Sequence, residues 1–212
     1  MRKILILFLF VSLSISAFSQ FKLGFQFSPT LSTNRVELKS DSVNLDSDGT
    51  ALRLAFGPIV DVQLTDNYYF SSGILLCSKR AGFEGQDKAG NFPSVKEDYN
   101  LQYVQIPLSL KLYTNEVALD KRIYFQFGGA LEFNVKEKAN NDNNMLVRDF
   151  RLFDGSILAG MGLEYQIGTS TLVFGGLTYH RGLVNAVSKH ANVGGDVILK
   201  NDYISLDIGV KL

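Results

Sequence analysis

Apolar and polar side chains alternate with a period of two along this chain, over segments longer than an ordinary strand. Phe21, Leu23, Phe25 and Phe27 stand against Lys22, Gly24, Gln26 and Ser28. Successive side chains of a strand point to opposite faces, so this pattern gives a strand two chemically different sides. It recurs with Leu52, Leu54, Phe56, Val60, Val62 and Leu64 against Arg53, Ala55, Gly57, Asp61 and Gln63. Val104 to Leu112 sets its aliphatic residues against Gln105, Pro107, Ser109 and Lys111. Ile123, Phe125, Phe127, Leu131, Phe133 and Val135 oppose Tyr124, Gln126, Gly128, Glu132 and Asn134. Residues 153–167 place Ile157, Met161, Leu163 and Tyr165 opposite Ser156, Gly160, Gly162, Glu164 and Gln166. A further strand covers 171–183, and the final one sets Ile204, Leu206, Ile208, Val210 and Leu212 against Ser205, Asp207, Gly209 and Lys211. The third segment, Tyr68 to Lys79, alternates less cleanly and its register stays open. Eight strands are therefore expected, many of ten residues or longer. Soluble strands average about 5–6 residues, whereas a tilted strand crossing a membrane needs about 9–11.

The connections alternate too. Those after the second, fourth and sixth strands are short (65–67, about 114–121, 168–170). Those after the first, third, fifth and seventh are long and polar (about 30–50, 81–98, 137–149, 184–201). All long loops then leave one end of the sheet, as the external loops of outer-membrane barrels do, with tight turns on the periplasmic side.

Alternation by itself leaves two architectures open. A soluble barrel points its apolar face inward, and a membrane barrel points it outward. The polar face here carries Gly24, Gly57, Gly128, Gly160 and Gly162 beside long charged residues. An eight-stranded barrel is just wide enough for side chains to fill, which suits that mixture. Its expected lumen charges also balance, with Lys22, Arg53, Lys111 and Lys211 against Asp61, Glu132, Glu164 and Asp207. Buried charge must be paired or it costs several kcal/mol per ion. Tyr68, Tyr69, Tyr99, Tyr103, Tyr113 and Tyr203 fall near expected strand ends, where an interfacial aromatic girdle would sit. The reading is an all-β, eight-stranded antiparallel transmembrane β-barrel facing outer-membrane lipid.

The first residues fit that destination. Met1-Arg2-Lys3, an apolar run from Ile4 to Val11 and the small residues Ala17 and Ser19 make a signal peptide over 1–19, cleaved before Gln20. The apolar core is shorter than the roughly 20 residues of a membrane-spanning helix. The expected domain is 20–212. Its last strand, ending in Leu212, suits recognition by barrel-assembly machinery.

Four stretches resemble the PorT-like outer-membrane β-barrel domain family. They are Tyr103-Val104-Gln105-Ile106-Pro107-Leu108-Ser109-Leu110-Lys111-Leu112, Tyr124-Phe125-Gln126-Phe127-Gly128-Gly129, Gly160-Met161-Gly162-Leu163-Glu164-Tyr165 and Tyr179-His180-Arg181-Gly182-Leu183-Val184-Asn185. Gln105 stands where that family commonly has Glu, and Leu212 where Phe is frequent. The resemblance implies an outer-membrane location and an eight-stranded barrel, and it implies no activity.

Little in the sequence points to chemistry. Lysine plus arginine (21) equals aspartate plus glutamate (21), so no global basic field attracts nucleic acid. The single cysteine, Cys77, excludes an internal disulfide. His180 with Ser188 is the one acyl-transfer pair to consider, and no spacing supports it. Asp41, Asp46 and Asp48 suggest a polar turn more than a calcium loop, which would carry a later glutamate. Gly82, Gly85 and Gly90 read as turn residues. No cofactor, metal or catalytic residue is expected. The leading expectation is a structural or interaction protein, serving envelope integrity, adhesion or docking to an envelope or secretion partner. A narrow pore is the alternative, and a lipid-modifying acyl-transfer enzyme a more distant one.

Overall fold

The computed structural model describes residues 21–38, 43–87, 95–139, 147–190 and 197–212. The expected signal peptide lies outside them, as do Asp41 and Gly90. The described residues form twelve strands: β1 (Phe21–Leu38), β2 (Val43–Ser47), β3 (Ala51–Thr65), β4 (Tyr68–Gly73), β5 (Leu75–Asp87), β6 (Val95–Tyr113), β7 (Lys121–Ala139), β8 (Val147–Phe150), β9 (Phe153–Gln166), β10 (Leu172–Gly182), β11 (Val187–His190) and β12 (Val197–Lys211).

Their pairing closes a ring. β1 pairs with both β3 and β12, and the antiparallel ladder continues β12–β10–β9–β7–β6. β4 and β5 together fill the position between β6 and β3. Eight ring positions result, and closure removes the free edges that an open sheet would expose. β2 extends the second position by pairing with the far end of β5, and β8 pairs with β11 as a separate ribbon.

The break between β4 and β5 has a local cause. Gly57 adopts φ 156°, and a Cβ there would overlap the Ile74 carbonyl and reach 3.0 Å from the Leu75 Cα. Only glycine lets the backbones approach this closely. Ile74 donates its N–H to the Pro58 carbonyl at 3.0 Å, outside the regular ladder. Odd-numbered residues face inward on both sides of the break: Tyr69, Ser71, Leu75, Cys77, Lys79, Ala81 and Phe83 are buried, while Tyr68, Phe70, Ile74 and Leu76 are exposed. The inward set mixes charged, polar and apolar types, which is why the segment's two faces look alike in sequence.

Elsewhere the apolar faces point outward. Phe21 to Phe27 on β1, Phe125 to Phe133 on β7 and Ile204 to Val210 on β12 are exposed, whereas Ser28, Asp61, Glu132, Glu164 and Asp207 are buried. On β6 the outward apolar run from Val104 to Leu112 rises roughly 20–25 Å after allowing for strand tilt, matching the lipid-facing band of such barrels.

Above that band the alternation inverts. On β6 the pattern becomes inward Tyr99, Leu101 and Tyr103 against outward Lys96, Asp98, Asn100 and Gln102. On β12, Val197 and Leu199 point inward while Lys200 and Asp202 lie on the other face. The switch falls at adjacent apolar residues, Tyr103-Val104 and Tyr203-Ile204. Lipid requires an apolar exterior below this level, and water requires a polar one above it. Much of each long connection is therefore strand, and Gly82 and Gly85 lie within β5 rather than in a turn.

Candidate functional site in the filled lumen

Two ion-pair clusters fill the interior. The lower one joins β1, β3, β6, β9 and β12. Asp61 accepts from Lys111 at 3.2 Å and from Lys211 at 2.7 Å, and Lys211 also pairs with Glu164. Ser71 donates to Asp61 at 2.5 Å and Tyr113 to Glu164 at 2.9 Å. Lys22 lies 3.9 Å from Glu164 at the more exposed rim. Aromatic faces complete the cage: Lys211 sits 4.9 Å from the Phe174 ring centre and Lys111 5.5 Å from that of Tyr124. Tyr124 has room because Gly162 and Gly176 carry no Cβ; one at Gly162 would lie 2.5 Å from its hydroxyl.

The upper cluster centres on Lys79, which no pattern in the sequence singles out. It pairs with Glu132 and lies 3.8 Å from Asp154, and all three are buried. Gln105 donates to Glu132 at 2.7 Å and, through the same amide nitrogen, to the Tyr203 hydroxyl at 2.5 Å. Between the clusters Asp207 accepts from Ser28 at 2.8 Å and Thr178 at 2.5 Å. Beside it lies a polar cavity of about 30 Å³, lined in part by His180, Gln126 and Ser205, which is room for a water or two.

Of the eight charges expected in the lumen, the structure gathers Lys22, Asp61, Lys111, Glu164 and Lys211 in one cluster. Glu132 belongs to the other, and Asp207 is held by hydroxyls instead of a cation. Arg53 is a correction: it is partly exposed and donates to Asn100, whose side chain is on the outer face of β6. The cause is that β3 pairs with β5 only at Ala55–Cys77 and Phe56–Leu76, which lets Arg53 leave the ring. Asp154, missed in the sequence, lies two residues before Ser156 on the same alternating face.

The expected tyrosine girdle is also corrected. Only Tyr68 of the six is exposed; Tyr69, Tyr99, Tyr103, Tyr113 and Tyr203 are buried within the barrel. Their positions have inward parity, and the hydroxyls of Tyr99 and Tyr113 reach Glu97 and Glu164.

The external mouth is stoppered by apolar packing. Val147 and Phe150 from β8 and Ala186 and Val187 at β11 pack on Ala81, Phe83, Tyr99, Leu101, Tyr103, Val197 and Leu199. Tyr99 anchors the ribbon, its one hydroxyl proton shared between Glu97 at 2.8 Å and the Val147 carbonyl at 2.9 Å. His180 is buried and stacked on Tyr203 at 4.1 Å, with its Nδ1 lacking a partner among the described residues. Ser188 is exposed on β11, so the two do not form a pair. Asp48 is engaged by Arg80 at 3.0 Å and Lys96 at 3.5 Å, and no cluster of three metal-ligating side chains occurs among the described residues.

A closed ring with an apolar exterior and an ion-paired polar interior defines a transmembrane β-barrel of the bacterial outer membrane. The chain belongs to the outer membrane protein beta-barrel domain family, whose model matches residues 18–187. No curated protein matches its sequence significantly. Among solved structures it is similar to OprG from Pseudomonas aeruginosa, at 10% identity over 91% of this chain and 97% of that one, with a TM-score of 0.53. It is likewise similar to the outer membrane protease OmpT from Escherichia coli, at 9% identity over 91% and 96%, with a TM-score of 0.50. At these identities the likeness is one of fold.

Proposed function

We propose that the protein is a closed, non-conducting barrel that holds a folded external extension at the cell surface as an interaction module. Envelope stability, adhesion, or docking of an envelope or secretion partner would be its work, with no enzymatic activity. The observation that carries this reading is the filled lumen: two ion-pair clusters in series beneath an apolar stopper. Ions crossing such a lumen would have to break buried ion pairs, which is costly in free energy. Strands β1, β5, β6 and β7 run on past the lipid band, which gives the extension a rigid framework for contact. The sequence resemblance to PorT-like barrels assigns neither a chemistry nor a partner. Insertion by barrel-assembly machinery belongs to the same proposal.

Planar-bilayer recording of purified protein tests it. Silent membranes containing heat-modifiable, folded protein are expected. Steady ion-selective openings would overturn the closed reading and establish the narrow pore instead.

A further inference from the structure

On the wall formed by β5, β6 and β7, three cations gather just above the lipid band. Lys138 stands opposite Asn100 and Lys136 opposite Gln102, and Gln102 stands opposite Ser78. The next outward pairs toward the membrane are Val104–Phe133 and Ile106–Leu131. Two residues of β6, about 7 Å, thus separate the Lys136 pair from side chains that contact acyl chains, and four residues, about 13 Å, separate the Lys138 pair from them. Arg53 crosses β5 through the unpaired stretch of β3 and bonds to Asn100, which brings its guanidinium to the same place. Arg53, Lys136 and Lys138 line a concavity of about 290 Å³ with Ser78, Asn100 and Gln102.

Among the described residues, none of these three cations lies within ion-pair distance of a carboxylate. Three other cations of the extension are paired: Arg35 with Asp202, Arg80 with Asp48 and Asp98, Lys96 with Asp48 and Glu84. Three positive groups held together without a counter-charge repel one another, and an anion between them relieves that repulsion. The height of the group selects the anion. A headgroup of the outer leaflet lies at this level, with its acyl chains against Phe133, Leu131 and Ile106 below. An arginine fork with two lysines fits phosphate oxygens, and Ser78, Asn100 and Gln102 supply polar contacts for a sugar.

We propose that Arg53, Lys136 and Lys138 form a binding site for the phosphate of a phosphorylated glycolipid in the outer leaflet. The site is independent of whether the lumen conducts.

The test uses full-length protein folded in neutral detergent, with binding of bis-phosphorylated lipid A followed by native mass spectrometry. Dephosphorylated lipid A and inorganic phosphate serve as separate probes. Phosphorylated lipid A is expected to bind at least tenfold more tightly than the dephosphorylated form, and inorganic phosphate at least a hundredfold more weakly. The triple variant R53Q/K136Q/K138Q should lose tenfold or more in affinity, while R181Q/K200Q, changed elsewhere on the extension, keeps it. Heat-modifiable migration reports folding of each variant, and K136Q/K138Q, at two exposed positions, serves if the triple variant does not fold. Unchanged affinity in a folded variant, or equal binding of both lipid A forms, would overturn the proposal. Inorganic phosphate binding as tightly as the lipid would show a free-anion site and reject the lipid assignment.

Discussion

Replacing Lys79 with methionine should be the most damaging single change to the lumen that keeps side-chain size. Lys79, Glu132 and Asp154 are 0%, 0% and 1% exposed, so bulk solvent cannot screen the charges left when the ammonium is removed. Two carboxylates would then face each other without a cation. Breaking a buried pair from one side costs about 3–5 kcal/mol, and Lys79→Met belongs at the upper end because it strands two acceptors. Glu132→Gln should be milder, on the order of 1–3 kcal/mol. It leaves Lys79 beside Asp154 at 3.8 Å, and the new amide can still accept from Gln105. Exchanging all three residues together, Lys79→Met with Glu132→Leu and Asp154→Asn, should recover much of the loss, since removing every charge of a buried cluster leaves none unpaired. Reversible urea unfolding of the barrel in lipid vesicles, followed by tyrosine fluorescence and heat-modifiable migration, measures each variant. A cost below about 1 kcal/mol for Lys79→Met, or one no greater than that of Glu132→Gln, would refute the view that Lys79 is the cation on which the upper cluster depends.

Other consequences are open to measurement. Gly162→Ala drives a methyl group into the Tyr124 hydroxyl and the Gly175 carbonyl, both 2.5 Å from the added atom. It should destabilise the same unfolding transition by about 1–3 kcal/mol, and pairing it with Tyr124→Phe should recover part of the loss. Phe83→Ala empties the centre of the external stopper, where Phe83 stacks on Tyr99 at 6.1 Å. A loss of about 3–5 kcal/mol should fall on the extension, seen as faster proteolysis near residues 147–150 while the lipid-embedded ring stays heat-modifiable. The hydrogen bond from Arg80 holds the Asp48 carboxyl below its ordinary 3.8. Because the folded value is the lower one, this contact is complete above about pH 4 and is lost as the pH falls through the depressed midpoint. Carbon-13 titration of Asp48 should show a midpoint under 3.8 that returns towards it in Arg80→Gln.

Alternation in the amino-acid sequence was enough to read the ring itself. Phe21 to Phe27, Val104 to Leu112 and Ile204 to Leu212 each carry one apolar face of membrane-crossing length, and local pattern suffices wherever a strand has lipid on one side and a polar lumen on the other. The clusters were legible only in part. Asp61, Lys111, Glu164 and Lys211 could be assigned to the inner face, but which carboxylate meets which amine depends on strand stagger around the closed ring. Asp61 and Lys211 are distant in sequence and adjacent only because β1 joins β3 to β12.

What only the tertiary structure decided follows from the same physics. Lys79 sits in the segment whose inner face passes from polar lumen to apolar stopper, so its parity was hidden. The tyrosines read as an interfacial girdle belong inside, because tyrosine serves a wet interface and a hydrogen-bonded interior equally well. Arg53 had the parity of a lumen residue and left it where β3 and β5 stop pairing, a gap set by contacts between strands rather than by either strand alone. The sequence by itself determined that this chain has two faces and enough strand to close around one of them. Where the faces exchange roles, and which charges meet across the lumen, required the closed barrel, since water, lipid and a packed interior each select side chains by surroundings that a single strand does not have.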